Sequence, residues 1–305
     1  MRNAFFQALI ELTRADKRIF LVVADLGFQA VEPFVEEFPD NFVNVGIAEQ
    51  NMTGVAAGMA MSGKIVFTYS IGNFPIMRCM EQLRNDVCYH NINVNVVSVG
   101  AGLAYGSMGA THHCTEDLAI MRALPNMTVV APGDSIEVGM ATRAIAQNPG
   151  PCYLRIAKTG EPIVHKSDID FRLGKAIMLQ DGSDLTLIST GEMLYNTVKS
   201  AEQLAKKSIQ ARVLSMHTLK PLDIGAVVAA AQDTGTIITV EEHNPTGGLG
   251  SAVAEVIAEH DDLRPKFKRL ALKQQFCCDV GSQDYLRNIN GLSIEGIINS
   301  VISVM

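Results

Sequence analysis

The sequence predicts an α/β protein of two domains, each built on a mainly parallel sheet flanked by helices. Its length of 305 residues corresponds to two domains of roughly 100–200 residues each. Short apolar runs alternate with longer amphipathic stretches almost from end to end, which is the pattern of parallel strands joined by helices. The composition, with 48% hydrophobic and 19% charged residues, is typical of a globular protein and excludes disordered, collagenous and disulfide-scaffold classes.

The elements of the first half follow from these runs. Apolar residues recur at helical spacing between Met1 and Lys17, which indicates an amphipathic helix rather than a signal peptide. Asp134 can cap a later helix, with Glu137 three positions on, and the Pro- and Gly-containing positions 148–151 end that helix. Strands are predicted near positions 19–24, 42–45, 65–69, 94–99, 128–131 and 152–156.

A weaker pattern separates this half from a second α/β unit. Between positions 161 and 183 the alternation fades and charged residues return, which suits a linker between domains at 1–160 and 184–305. Strands are predicted in the second unit near 185–189, 211–216 and 236–240, with helices at 196–207 and 251–260.

The charge balance and the cysteines limit the partners. Lys and Arg number 25 against 32 Asp and Glu, and no basic block forms the electrostatic footprint of a nucleic-acid or anionic-membrane site. The six Cys include no CxxC spacing, so neither a zinc framework nor a disulfide scaffold is expected. No uninterrupted apolar stretch reaches the ~20 residues of a membrane span. We expect a cytoplasmic protein with no nucleic acid, no membrane and no metal held by this chain itself.

The distribution of charge points to one carboxylate. From Asn41 to Gly63 the only charged side chain is Glu49, at the point where a predicted strand gives way to a helix rich in Gly and Ala. A lone carboxylate in an apolar setting costs free energy unless it is paired, hydrogen-bonded or protonated. Such residues mark functional sites. The alternative is that Glu49 only satisfies backbone donors in the first turn of its helix.

Two further segments carry candidate side chains. The Gly-rich loop at positions 100–114 follows an apparent central strand and ends in His112 and His113. Loops at the carboxyl ends of parallel strands are where α/β proteins bind ligands. Adjacent residues rarely coordinate one ion, so acid–base work or hydrogen bonding to substrate is the interpretation for His112, and a structural role is the alternative for His113. Phe74 is either part of the core or a ring on which a ligand stacks.

Several common catalytic motifs do not occur. The sequence contains no GxxxxGK[ST] loop, no HExxH and no GxSxG. Interpretations as an ATPase, a zincin or an α/β-hydrolase therefore lack support.

Ordered motifs over essentially the whole chain resemble one family. They are VGIAEQNMTGVAAGMA, TYSIGNF, GATHHCTEDLAIMRALPNMTVVAPGD, TLKPLD and VEEHNPTGGLGSAV. These resemble the pyrimidine-binding and C-terminal domains of transketolases and 1-deoxyxylulose-5-phosphate synthases. In that family thiamine diphosphate lies between two domains, one of which binds the aminopyrimidine while the other binds the diphosphate through Mg²⁺, a Gly-Asp-Gly motif and a downstream Asn.

No Gly-Asp-Gly occurs in this sequence. The resemblance therefore implies that the diphosphate domain, with its Mg²⁺, belongs to a separate N-terminal subunit. This chain would be the C-terminal subunit of a split transketolase, assembled as an α2β2 heterotetramer with composite sites.

The resemblance also implies roles on the cofactor side. Glu49 matches the glutamate that hydrogen-bonds a ring nitrogen of the pyrimidine and favours its imino tautomer. Phe74 matches the aromatic residue that stacks on the pyrimidine. Asp25 aligns with an aspartate near the cofactor at the subunit interface, and a helix or turn cap is its alternative role.

On the substrate side, His112 aligns with the histidine that hydrogen-bonds hydroxyls of the donor sugar during cleavage. Lys158 lies where the family often has a phosphate-binding arginine, and Arg2 is a further candidate for the substrate phosphate. Positions 108–110, Met-Gly-Ala, replace an Asp-Gly-Pro of the family, and the upstream His of transketolases is replaced by Gly near position 100. We therefore expect a less polar site and an unusual sugar phosphate.

The activity implied is transfer of a two-carbon ketol unit from a ketose phosphate to an aldose. The β subunit of a 2-oxoacid dehydrogenase and a split 1-deoxyxylulose-5-phosphate synthase-like enzyme are alternatives. The Thr111-His112 pair and the GIAEQN motif favour the transketolase or deoxyxylulose branch over the dehydrogenase. A non-catalytic partner subunit is a further alternative, against which the presence of both Glu49 and Phe74 argues.

Overall fold

The computed structural model describes residues 1–158, 160–166 and 169–305, which form two mainly parallel sheets flanked by helices. The strands over these residues are β1 (Ile19–Val23), β2 (Phe42–Asn44), β3 (Ile65–Ile71), β4 (Val94–Val99), β5 (Thr128–Val130), β6 (Cys152–Ile156), β7 (Ile177–Gln180), β8 (Leu185–Ser189), β9 (Ala211–Ser215), β10 (Thr218–Lys220), β11 (Thr236–Val240) and β12 (Lys266–Leu270). The α-helices are α1 (Arg2–Ala15), α2 (Glu32–Glu37), α3 (Glu49–Met61), α4 (Met80–Gln82), α5 (Asp117–Ala123), α6 (Ser135–Gln147), α7 (Met193–Ala205), α8 (Ile224–Thr234), α9 (Leu249–Ala258), α10 (Gln283–Ile289) and α11 (Ile294–Ile302). The predicted fold class is confirmed.

The first sheet brings the candidate segments together at the carboxyl ends of its parallel strands. Its strand order is β10-β5-β6-β4-β3-β1-β2, and β10 is the antiparallel strand. β4 and β6 are buried along their whole length, as expected for parallel strands covered by helices on both faces. Ile71 at the end of β3 pairs with Val99 at the end of β4, so the segments that follow these strands leave the sheet side by side.

The second sheet has the order β12-β11-β8-β9-β7, and its edge strand β7 runs antiparallel to β9. β7 lies in the segment at 161–183 that was expected to be a linker. An edge strand does not have to be buried on both faces, and Met178 on β7 is exposed. The sequence of β7 therefore lacks the continuous apolar run that marks the central strands. Positions 167 and 168 of that segment lie outside the described residues.

Strand β10 joins the two halves of the chain. It comes from the second half by sequence but pairs with β5 at the edge of the first sheet, with Thr218 opposite Val130. A strand of three residues is too short to show a period in the sequence, which explains why it was not predicted.

Two predicted helices show the expected local chemistry. The Asp134 carboxylate accepts hydrogen bonds from the backbone N–H of Ile136 and Glu137, at 2.9 and 3.0 Å, and so caps α6. On the apolar face of α1, the ring of Phe5 stacks on Tyr69 of β3 with centroids 5.9 Å apart. Among the described residues, no helix is both long and apolar enough to cross a membrane.

Candidate cofactor site

Glu49 is the first residue of α3 and is almost fully buried, with 3% of its surface exposed. Its Oε2 accepts a hydrogen bond from Nη1 of Arg78 at 2.9 Å. Since a buried carboxylate is costly without a partner, this cation explains how the chain accommodates the charge. In the part of the chain that the structure describes, the carboxylate is held by this side chain and not by the first-turn amides of α3.

Arg78 also contacts the predicted stacking residue. Its guanidinium carbon lies 4.3 Å from the centroid of the Phe74 ring, a cation–π contact. The turn after β3 passes through Gly72, which has a φ of +33°. A Cβ there would lie 3.3 Å from that of Cys114, so glycine lets this turn pack against the loop of the two histidines. Glu49 and Phe74 are thus brought to one place.

His112 completes this group. Its ring centroid is 5.4 Å from that of Phe74, and its Nδ1 lies 3.0 Å from Oγ1 of Thr111. The loop that carries it is closed by paired backbone hydrogen bonds between Gly102 and Cys114. The structure therefore brings together Glu49, Phe74 and His112, which the sequence had placed in three separate segments.

His113 faces inward beside the same site. It is buried, and burial lowers the pKa of its imidazole. Its backbone carbonyl accepts a hydrogen bond from Nδ2 of Asn73. Together with Phe74, Arg78 and Phe276 it lines a cavity of about 310 Å³. A neutral, buried ring agrees with the structural role given as one alternative for His113.

Asp25 lies at the same end of the sheet, beyond the end of a parallel strand, but outside the group formed by Glu49, Phe74 and His112. It lies two residues beyond the end of β1, the neighbour of β3, and is exposed. Its backbone has a φ of 52°, in the left-handed region that few residues other than Gly, Asn and Asp adopt. Two hydrogen bonds of 3.0 Å join it to Asn44: its backbone N–H donates to Oδ1 of Asn44, and Nδ2 of Asn44 donates to its carboxylate.

The two phosphate candidates lie near Tyr105 of the same loop. The Nζ of Lys158 is 4.9 Å from the Tyr105 ring, whose centroid is 6.3 Å from that of His112. Burial raises the pKa of Tyr105, and the charge of Arg2 partly opposes this. The N-terminal amine of Met1 pairs with Glu161 at 2.8 Å, which holds the start of the chain against the protein.

The sequence reasoning missed Arg78, although a signal existed. From Ile65 to Met80 it is the only charged residue, just as Glu49 is the only one from Asn41 to Gly63. Two isolated charges of opposite sign in apolar stretches each need a partner. That argument predicts that they pair.

The second domain also holds the histidine loop, which the sequence did not indicate. Glu242 accepts a hydrogen bond from the backbone N–H of Leu103 at 2.6 Å. A Cβ at Gly102 would collide with the Glu242 carboxylate, so glycine is required at this close approach. Arg287 donates to Glu242, and also to Glu192 at 3.0 Å.

A second buried pair supports the base of that loop. Nε of Arg155 donates to Oδ2 of Asp117 at 2.7 Å, and both side chains are buried. Arg155 also donates to the backbone carbonyls of Cys114, at 2.8 Å, and Glu242, at 3.0 Å. One guanidinium thus links the loop, α5 and the second domain.

These residues fit the pyrimidine end of a thiamine cofactor. A buried carboxylate and an aromatic ring face one small volume, which is what a flat heterocycle with ring nitrogens requires. Over residues 1–158, 160–166 and 169–305, no three His, Cys, Asp or Glu side chains group to hold a metal ion. That Mg²⁺ is held by another subunit stays a prediction.

Comparison with known proteins gives the family. Residues 1–160 match the transketolase pyrimidine-binding domain, and residues 174–297 match the transketolase C-terminal domain. The chain is 42% identical over 261 residues to an apulose-4-phosphate transketolase subunit of Phocaeicola vulgatus, covering 85% of this chain and 84% of that protein. It is 37% identical over 301 residues to the 6-deoxy-6-sulfo-D-fructose transketolase subunit SqwH of a Clostridium species, covering 98% and 92%.

A solved structure agrees with these relatives. A split gene transketolase, described as an inactive β4 tetramer, superposes with a TM-score of 0.89 at 36% identity over 99% of this chain and 97% of that one. The chain belongs to the transketolase family. Within it, the chain is the C-terminal subunit of a split transketolase family protein, with the pyrimidine-binding and C-terminal domains, and the resemblance seen in the sequence is confirmed. The pyrimidine-binding domain implies thiamine diphosphate as the cofactor.

Proposed function

We propose that this chain is the C-terminal subunit of a two-subunit, thiamine diphosphate-dependent transketolase. It would transfer a two-carbon ketol unit from a ketose phosphate to an aldose acceptor. The observation that carries this proposal is the convergence of Glu49 and Phe74 on one small volume, with the His112 ring 5.4 Å from Phe74. A buried carboxylate, an aromatic face and an imidazole are the groups needed to bind a pyrimidine beside a sugar.

Each cofactor-side residue has a separate task in this proposal. Glu49 is fixed at the start of α3, so its carboxylate can hold a proton at a ring nitrogen of the pyrimidine with little loss of side-chain freedom. Phe74 provides the stacking face. Asp25, exposed just after β1, is assigned to the cofactor side at the subunit interface. When bound, thiamine diphosphate supplies the nucleophilic carbon and the electron sink for carbon–carbon cleavage.

On the substrate side, His112 donates or accepts hydrogen bonds at donor hydroxyls, and Lys158 and Arg2 bind the phosphate. Their position around Tyr105 supports this assignment. The Met-Gly-Ala at 108–110 offers no carboxylate to a donor hydroxyl. The relatives' names, apulose-4-phosphate and 6-deoxy-6-sulfo-D-fructose transketolase subunits, support an unusual sugar.

The partner in this proposal is an N-terminal transketolase subunit with the Gly-Asp-Gly motif and the Mg²⁺ site, assembled as α2β2. The Phocaeicola vulgatus relative, which is itself named as one subunit of a transketolase, supports such a partner. The first experiment is to purify the tagged chain from its host and to identify co-eluting proteins by mass spectrometry. A stoichiometric partner that carries Gly-Asp-Gly is expected. A chain that elutes alone and binds no cofactor would favour the non-catalytic alternative.

The reconstituted assembly then separates the competing reactions. Ketol transfer between ketose and aldose phosphates is expected. Release of CO₂ from pyruvate with condensation onto an aldehyde would indicate a deoxyxylulose-phosphate synthase activity. Acyl transfer to a lipoyl carrier would indicate a 2-oxoacid dehydrogenase. Either result in place of ketol transfer would contradict the proposal.

A further inference from the structure

The guanidinium of Arg78 contacts both groups that we assign to the aminopyrimidine. It donates to Oε2 of Glu49 at 2.9 Å and lies 4.3 Å from the Phe74 ring centroid. A guanidinium is planar, carries N–H donors along its edge and stacks on aromatic rings through its face. An aminopyrimidine next to a carboxylate and a phenyl ring makes the same two kinds of contact, hydrogen bonds along its edge and stacking through its face.

The contact with the Phe74 ring cannot be shared with a bound pyrimidine. Because Arg78 touches Glu49 and Phe74 at once, it covers the side of the Phe74 ring that looks toward the carboxylate. A heterocycle that stacks on Phe74 while it reaches Glu49 must lie on that same side. Stacked rings have centroids about 4.5–7 Å apart, so the heterocycle needs the space in which the guanidinium lies.

We propose that Arg78 occupies the aminopyrimidine position in the cofactor-free subunit and leaves it when the cofactor binds. This rests on the function proposed above. The arginine gives the buried Glu49 carboxylate a partner before assembly, when an unpaired charge would be costly. Cofactor binding then exchanges one planar partner for another.

The two partners differ in their freedom to move. Glu49 is anchored on α3 and is 3% exposed, whereas the Arg78 side chain is 47% exposed. Arg78 lies in a short 3₁₀ turn, Met77–Cys79, and its long side chain can swing into solvent without movement of the backbone. Over the described residues, Glu49 is the one hydrogen-bond partner of its guanidinium. The pair is buried at Glu49 and half-exposed at Arg78, so the arginine is the member that can leave when a ligand takes over its contacts.

The test is cofactor affinity. Thiamine diphosphate is titrated by calorimetry, with Mg²⁺, into the assembly of this chain and its partner. If the open position is populated only about a tenth of the time, removing the competitor tightens apparent binding by up to about tenfold. We expect Arg78→Ala to lower the Kd by about threefold to tenfold and Arg78→Lys, which keeps the charge but loses the planar group, to lower it less. An unchanged or higher Kd in Arg78→Ala would overturn the proposal.

Matched variants separate this result from the function on which it rests. Arg84→Ala removes an exposed arginine of the same segment that bonds to its neighbour Asn85, and it should leave the Kd unchanged. Glu49→Gln and Phe74→Ala should raise the Kd. If these two variants bind as wild type does, the cofactor assignment fails. If they weaken binding and Arg78→Ala does not tighten it, the displacement proposal alone fails.

Discussion

Two arginine–carboxylate pairs adjoin the segment that carries His112, and they differ in burial. In the Arg155–Asp117 pair the side chains are 2% and 0% exposed, whereas in the Arg78–Glu49 pair they are 47% and 3% exposed. Arg155 has further carbonyl partners on the loop and on the second domain. Arg78 has the face of Phe74 instead. The first pair is fixed structure, and the second is open to exchange.

The comparison shows how the same chemical pair can serve two purposes. A buried pair that loses one member leaves an uncompensated charge, so it resists change. In the second pair the arginine is half-exposed and can be solvated when it leaves, whereas the buried Glu49 carboxylate needs another partner in its place. We therefore expect the stability of the fold to depend on Arg155. We expect catalysis to depend on Glu49, whose partner can be replaced by the cofactor.

The largest effect is expected at the buried pair. Arg155→Met strands the Asp117 carboxylate in the core and should lower the free energy of unfolding of the isolated chain by about 3–5 kcal/mol. Urea denaturation measures this. The control is Arg14→Met, which removes an exposed partner of Glu37 and should cost under about 1 kcal/mol. Equal losses in the two variants would show that burial does not determine how much an arginine–carboxylate pair contributes to stability.

Within the Arg78–Glu49 pair, loss of the Glu49 carboxylate should have a large effect on turnover. Glu49→Gln in the assembled enzyme keeps the shape of the side chain but removes its ability to exchange a proton, and we expect turnover to fall by at least ~100-fold. Steady-state ketol-transfer kinetics check this. Glu81→Gln alters an exposed glutamate of α4 and should leave turnover as in wild type. Wild-type turnover in Glu49→Gln would refute the catalytic assignment.

His112 should separate substrate chemistry from cofactor binding. His112→Ala is expected to lower kcat/KM by about tenfold to 100-fold, as for loss of one positioned acid–base or hydrogen-bonding group. Thiamine diphosphate should still bind with wild-type affinity, which calorimetry measures. Loss of cofactor affinity would show that His112 belongs to the pyrimidine site and not to the sugar site.

A further effect is a pH dependence of stability at Glu192, which accepts hydrogen bonds from Gln283 and Arg287 within the second domain. Burial and the nearby Glu242 carboxylate raise the pKa of Glu192 to about 7. The folded chain then retains a proton that the unfolded chain has already lost, so stability falls as pH rises from about 4.5 to 7. Glu192→Gln should flatten this slope, by up to about 3 kcal/mol across the window.

Urea midpoints at several pH values measure that slope. Glu202→Gln, an exposed partner of Lys199, should keep the wild-type slope. An identical pH profile for wild type and Glu192→Gln would show that Glu192 does not titrate in this range.

Much of the fold could be predicted because buried strands have a simple signal. The predicted bounds of β4 and β6, 94–99 and 152–156, agree with the structure, since a short, mainly apolar run of strand length can be recognised without tertiary information. By contrast, the edge strand β12 has the sequence KFKRL, and its three cationic residues leave no apolar run by which a strand could be recognised. The short β10 depends on its partner β5 for its existence.

The site could be predicted only in part for a similar reason. Glu49 was identifiable because it is alone in an apolar stretch, and that is a property of the sequence itself. The contact between Glu242 and the Leu103 amide joins positions 139 residues apart, and no local pattern indicates it. The contact of Arg78 with both Glu49 and Phe74 likewise depends on how α3 packs against β3.

The central claim is that this chain holds only the pyrimidine half of a composite cofactor site. The most direct test is the amount of thiamine diphosphate bound, with Mg²⁺, by the chain alone and by its assembly with the N-terminal partner. We expect one cofactor for each pair of subunits in the assembly and no measurable binding by the chain alone at the same concentration. Equal binding by the chain alone would contradict the claim.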